Sequence, residues 1–341
     1  MSAPRPTLLL LLAALAGCGS DAVTDAEPEP PPPPLQCVVA TAECMERLAL
    51  GQGRWLPVYR TYALGKRDDR VERAVVVVHG TDRNADAYFN TMVAALQAAG
   101  TLSSTLVVSP RFQALEDTPR SDEPYWSTEG WKRGDLSASD SPLARVSSFA
   151  AMDSLLGVLS DRQRFPALAS IVVTGHSAGG QFTHRYAGSS PAPEDLGSLR
   201  IRFVVANPST YLWLGPERPA EDGFSRPDSA GCPTWNDWPY GTSNRNSYAR
   251  ATDEPGIRQR LTSRDVRILL GEADTLTANL DVSCAANLQG RRRFDRGRAL
   301  MRFMDLFLPG HAHLESVIPG VGHSSRDMYR SMPGLEALTS W

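Results

Sequence analysis

The sequence predicts an α/β fold on a mostly parallel central sheet, and three observations carry that prediction. Runs of β-branched residues such as Ala74-Val75-Val76-Val77-Val78 read as strands buried on both faces. Segments with helical spacing lie between these runs. Their regular alternation implies βαβ units, whose sheets are parallel and flanked by helices on both sides.

Taken in order, Leu56 to Leu64 is β-like and is assigned to a sheet edge, and Ala74 to Val78 is a central strand. Ala85 to Ala99 has helical spacing and stops at Gly100, a C-cap position. Thr105 to Ser109 is a buried strand ended by Pro110. Val146 to Leu159 is a helix with Phe149, Met152, Leu155 and Leu159 near one face. Ile171 to Thr174 is a strand and Gly179 to Ala187 a helix. Ile201 to Ala206 and Val266 to Leu270 are strands, Gln289 to Leu306 a helix, Leu314 to Ile318 a strand, and Ser325 begins a last helix. Ligands of such sheets bind at the carboxyl ends of the strands.

The chain has 341 residues, 42% apolar and 21% charged, with a formal charge of -3. This is an ordinary globular balance, and no basic block supports nucleic-acid binding. The densest basic run, Arg291 to Arg293, reads as the solvated face of a helix or as an anion contact.

Residues 1–17 read as a leader outside the fold: Arg5 supplies charge, Leu8 to Leu12 begin an apolar run too short to span a bilayer, and Leu15-Ala16-Gly17-Cys18 closes it. That closing segment resembles a bacterial lipobox, which would place an acyl anchor on Cys18; the alternative is an ordinary signal peptide with Cys18 incidental. Residues 18–36 form an acidic, proline-rich tether with Pro30 to Pro34 as an extended spacer. The folded domain is assigned to residues 37–341. This organisation implies an exported protein held to the bacterial cell envelope, with Gly19 compatible with outer-membrane sorting.

Five cysteines are present, an odd number for an exported chain. Lipidation of Cys18 leaves four, which allow three pairings. Cys37–Cys44 and Cys232–Cys284 are favoured: the first closes a short loop at the domain entrance, the second pins a long loop to the region after the candidate acid. The cysteine and histidine spacing suits no metal site.

Gly175-His176-Ser177-Ala178-Gly179 is G-x-S-x-G with a strand before it and a helix after it, the setting of a nucleophile elbow. A serine hydroxyl needs a base oriented by an acid. Asp274 follows a strand directly, with Glu272 and Asp281 as competitors. Of six histidines only His323 comes after the acid and at the carboxyl end of a strand. The oxyanion hole is assigned to the backbone amides of Ala178 and Thr81, with Gly80 letting the loop approach. Asp82 and Asn84 are candidates for the N-cap of the following helix.

These residues (His79-Gly80 after a valine strand, Gly175 to Gly179, Asp274, Gly322-His323) resemble the α/β-hydrolase superfamily from about Trp55 to the C-terminus. Within it the chain is similar to secreted esterases of the feruloyl esterase and polyhydroxyalkanoate depolymerase kind. The resemblance implies catalytic roles for Ser177, Asp274 and His323, whereas the substrate does not carry over with it; a small-molecule or polymeric ester and a monomer are expected, and no cofactor is implied, because nothing resembles a dinucleotide site or a P-loop. A peptidase or amidase with the same triad, and a lipid-anchored binding protein, are the competing readings.

Two long insertions, Arg111 to Leu143 and Asn207 to Asp253, leave strand ends and carry Trp126, Trp131, Trp235 and Trp238. These tryptophans either line a substrate cleft or anchor the loops to the domain.

Overall fold

The valine strand is buried on both faces, and the period-two alternation of its side chains sorts the molecule into layers. The computed structural model describes residues 1–3 and 36–341; the leader, most of the tether and Cys18 lie outside the described residues. Ten strands form: β1 (Met45–Gly51), β2 (Arg54–Arg60), β3 (Arg73–Val78), β4 (Thr105–Pro110), β5 (Ser170–His176), β6 (Arg200–Ala206), a small hairpin of β7 (Arg218–Ala220) and β8 (Gly223–Ser225), then β9 (Asp265–Gly271) and β10 (Leu314–Ile318). The helices are α1 (Ala85–Ala98), α2 (Ser148–Leu159), α3 (Ala178–Ser189), α4 (Glu254–Ser263), α5 (Cys284–Asn287), α6 (Arg293–Phe307), α7 (Ser325–Arg330) and α8 (Met332–Thr339).

The main sheet has eight strands in the order β1-β2-β4-β3-β5-β6-β9-β10. Every pair from β4 to β10 is parallel, while β2 runs antiparallel to both of its neighbours. Val76 and Val78 face a core shared with α2, α3, α4 and α6. Val75 and Val77 face the opposite core, shared with α1, α7 and α8. Alternate side chains of a strand point to opposite faces, so one run of valines supports both layers.

Several elements differ from expectation, and β1, the β7–β8 hairpin, α4 and α5 were not expected at all. The β-like segment after Trp55 is not the edge, because β1 pairs outside it through a turn in which Gln52 and Gly53 have φ of 52° and 72°. The residues of β1 (Glu46, Arg47, Leu48, Ala49) have high helix propensity, and cross-strand pairing overrides it. Helix α6 starts four residues late, because the Gln289 side chain is spent on the backbone N–H and C=O of Tyr211, both at 2.8 Å. The last helix is broken at Ser331, whose hydroxyl caps α8 by accepting from Gly334 N at 3.0 Å.

Both favoured disulfides are present, Cys37–Cys44 and Cys232–Cys284, with Cα separations of 5.7 and 5.8 Å. The second closes a loop with a sequence separation of 52. Serine at both positions 232 and 284 is expected to lower unfolding stability by up to about 4 kcal/mol through the restored entropy of the unfolded chain, read from urea titrations.

His79 and His313 are buried in the neutral form, and burial pulls their pKa values down from 6.5 to about 4 and about 3. A histidine with a folded-state value below its unfolded one takes up its proton first in the unfolded chain. The stability present above pH 6.5 is therefore lost as pH falls towards those values. Between pH 7 and 5 the loss is expected to be about 2 kcal/mol per histidine, measured by urea unfolding at the two pH values.

Candidate active site

The chain leaves β3 towards β4 on one side and later returns to β5 on the other, so β3 and β5 flank a switch point where a crevice opens. The turn after β5 holds Ser177, at φ 58° and ψ -120°, a conformation unfavourable for a residue with a side chain. Glycines on either side make the turn possible. A Cβ on Gly175 would lie 2.3 Å from the Gly179 carbonyl, and one on Gly179 would lie 2.2 Å from the Val78 oxygen. Helix α3 begins directly behind Ser177, with its N-terminal amides towards the crevice.

Loops after β9 and β10 bring two further side chains to Ser177. His323 Nε2 lies 3.0 Å from Ser177 Oγ, and His323 Nδ1 lies 2.7 Å from Asp274 Oδ2. Asp274 is fully buried, whereas Glu272 is exposed. Asp281 is engaged elsewhere: Tyr240 Oη donates to it at 2.7 Å and the Ser283 amide at 3.0 Å. Burial opposes ionisation of Asp281, but those hydrogen bonds hold its pKa below the usual carboxylate value.

The loop after β3 completes the crevice. Thr81 and Ala178 both line it, and among the described residues neither amide donates to another protein group. The loop is held from behind. His79 accepts from Phe112 N at 3.0 Å through Nε2, so its Nδ1–H donates to Gly80 O at 2.9 Å. Arg83 donates to Thr81 O at 3.1 Å and pairs with Asp117 at 2.5 Å. Gly80 is required because a Cβ there would lie 2.6 Å from Tyr88 Oη. Asn84 occupies the N-cap position of α1 but makes no side-chain cap bond, and Asp82 is exposed outside it.

Three supporting residues were given no role in the site from the sequence, although Arg293 belongs to the run for which an anion contact was one reading. Asn207, buried at φ 41°, accepts from Gly271 N at 2.8 Å and donates to Gly322 O at 3.2 Å. It thus ties the end of β9, just before the loop carrying Asp274, to the loop carrying His323. Arg293 is fully buried with Nη1 3.6 Å from Asp274 Oδ1, and it also donates to Leu276 O and Ala278 O at 3.0 and 2.7 Å. The basic run Arg291 to Arg293 is therefore not a wholly solvated face: its third member braces the acid loop. His176 is buried, kept neutral by burial, and its ring lies 4.5 Å from that of His323, limiting how the imidazole can turn.

Two solved structures share this architecture over most of their length. A poly(3-hydroxybutyrate) depolymerase, LpqC, from Bordetella parapertussis is 23% identical, with 85% of this chain and 89% of the other covered and a TM-score of 0.59. Poly(aspartic acid) hydrolase-1 from Sphingomonas sp. KT-1 is also 23% identical, covering 85% and 97% of the two chains at a TM-score of 0.60. The chain has the α/β-hydrolase fold. No family model and no curated protein matches the sequence.

In this hydrolase fold the four candidate tryptophans do not line the crevice at Ser177. Trp126 and Trp131 are 1% and 0% exposed and pack in an aromatic cluster with Phe112, Phe182 and His79. Trp235 is buried beside Cys232 and against the Arg218 guanidinium. Trp238 is half-buried and donates to Arg133 O at 3.0 Å, joining the two insertions. They anchor the loops, because indoles bury a large apolar area; Trp126 also donates to Asp135 O at 3.1 Å, whereas Trp131 Nε1 is buried without a partner among the described residues. The crevice itself is polar. One lobe of about 460 Å³ is lined by Glu129, Lys132, Gln181, Ser209, Tyr240 and Asp281 among others, and another of about 320 Å³ lies on the His323 side.

Proposed function

We propose that this protein is a serine hydrolase that cleaves carboxylic esters through an acyl-enzyme on Ser177. The observation that carries the reading is the relay Asp274–His323–Ser177 at 2.7 and 3.0 Å, opening beside two free amides. Its components match the chemistry step by step. His323 Nε2 takes the Ser177 proton as Oγ attacks the ester carbonyl, and Asp274 holds Nδ1–H and stabilises the imidazolium. The carbonyl oxygen, now carrying the charge, accepts hydrogen bonds from the Ala178 and Thr81 amides. His323 then returns the proton to the departing alcohol, and water repeats the sequence to free the acid. The likeness to a poly(3-hydroxybutyrate) depolymerase supports an ester, small or polymeric, as the substrate.

A fluorophosphonate probe tests the nucleophile. The wild type is expected to label and Ser177→Ala not to; a folded wild type that fails to label is a binding protein instead. Faster turnover of p-nitrophenyl esters than of the matching anilides is expected, and the reverse order makes the protein an amidase or peptidase.

We further propose that residues 1–17 are removed on export and that Cys18 carries the lipid that holds a monomer to the outer membrane. Among the described residues no helix is long and apolar enough to cross a membrane, and the two disulfides support an oxidising compartment. Mass spectrometry of the mature N-terminus is expected to show an acylated Cys18; an unmodified mature chain overturns the anchor.

A further inference from the structure

We propose that the larger lobe beside Ser177 is a subsite for a carboxylate, so that the preferred esters carry a negative charge on the group that enters it. This rests on Ser177 being the nucleophile. Among the twelve other residues that line the lobe, only Ala178 and Leu280 are apolar, which leaves an alkyl chain little to bury against.

The sign of the charge comes from what lies beneath the lining. Glu129 pairs with Lys132 Nζ at 2.7 Å and Arg133 at 2.9 Å, and Asp281 is held by Tyr240 and Ser283. Those four lining charges cancel. Two buried guanidinium groups sit directly behind them. Arg185 donates to Lys132 O at 3.0 Å and to Thr210 Oγ1 at 2.8 Å, and its Nε has no partner among the described residues. Arg296 donates to Ser209 O at 2.6 Å, Gly290 O at 2.8 Å and Asn287 Oδ1 at 3.2 Å. No carboxylate lies within ion-pair distance of either among the described residues, so four cations face two acids around one cavity.

A buried cation without an anion is costly unless something supplies the charge. Burial already draws the pKa of Arg185 down to about 10, with the Arg133 charge adding to the effect. Lys132 is likewise lowered by burial, and Arg133, which also lines the lobe, has a buried Nε without a partner among the described residues. A substrate carboxylate in the lobe would accept from Lys132 and Arg133 while lying in the field of Arg185 and Arg296. Charge-assisted bonds of this kind are the strong ones. The lobe begins at Ser177, so the carboxylate belongs on a short chain attached to the ester.

Two substrate pairs test this, because the charge can enter on either side of the ester. The acyl-side pair is p-nitrophenyl hydrogen adipate against the p-nitrophenyl ester of adipic monoamide. The alcohol-side pair is 4-acetoxybenzoate against 4-acetoxybenzamide, with phenol release followed. In one pair the carboxylate member is expected to have a kcat/KM about tenfold higher or more, with the advantage shrinking in added salt. Lys132→Gln and Arg133→Gln are expected to narrow the ratio. Ratios at or below one in both pairs overturn the subsite, as does a ratio that neither substitution changes. Fluorophosphonate labelling of Ser177 separates this failure from failure of the hydrolase reading. Calorimetric titration of Ser177→Ala with adipate gives a readout without turnover. Binding weakened about tenfold by Lys132→Gln with Arg133→Gln supports the subsite, and absence of binding overturns it.

Discussion

Replacing Ser177 with alanine is expected to lower kcat by about a millionfold on an activated ester, and adding His323→Ala should cost almost nothing more. In the proposed mechanism the two side chains act as one device. Without Oγ the imidazole has no proton to take, and without the imidazole the hydroxyl remains a poor nucleophile. What survives is the contribution of the Thr81 and Ala178 amides, which do not depend on either side chain. Pre-steady-state and steady-state assays of the two single variants and the double variant measure this. Losses that multiply, instead of saturating, mean that the 3.0 Å contact between His323 and Ser177 is not the operating one.

Asp274→Asn is expected to have the next largest effect, a fall of about ten-thousandfold in kcat with the fold retained. Asp274 Oδ2 lies 2.7 Å from His323 Nδ1, and in the proposed mechanism it selects the tautomer with its lone pair on Nε2, towards Ser177. An asparagine amide can donate to Nδ1 and so select the opposite tautomer. The same substitution removes the carboxylate 3.6 Å from the buried Arg293. Arg293 keeps its bonds to Leu276 O and Ala278 O, but loss of its charge partner is expected to lower stability by about 3 kcal/mol. Kinetics and urea unfolding on the same preparation separate the two effects: Arg293→Met would change mainly stability and the placement of the acid loop, whereas Asp274→Asn changes the tautomer as well.

That the candidates His323 and Asp274 come together beside Ser177 was legible because each follows a strand, and strand order constrains which loops share an edge of the sheet. The competing acids could not be separated by position alone. Burial separates them: Glu272 is exposed, and Asp281 is committed to Tyr240 and Ser283. The tryptophans were ambiguous for a related reason. An aromatic residue in a glycine- and proline-rich loop has the same composition whether it faces solvent, substrate or core. Trp131, packed against His79 and Phe112 with no exposure, shows that here the core took it.

The alternation of the main strands and helices and the strained serine turn were determined by the sequence itself, because each is set by short-range chemistry: β-branched runs and glycines without a Cβ; the cysteine count left three pairings, of which the structure has the favoured one. The brace of Arg293 on the acid, the Asn207 link between the loops of Asp274 and His323, and the uncompensated guanidinium groups of Arg185 and Arg296 were decided only by tertiary structure. Their partners lie far away in the chain or are backbone atoms. An electrostatic field is a sum over neighbours in space, and no spacing along the polypeptide encodes it.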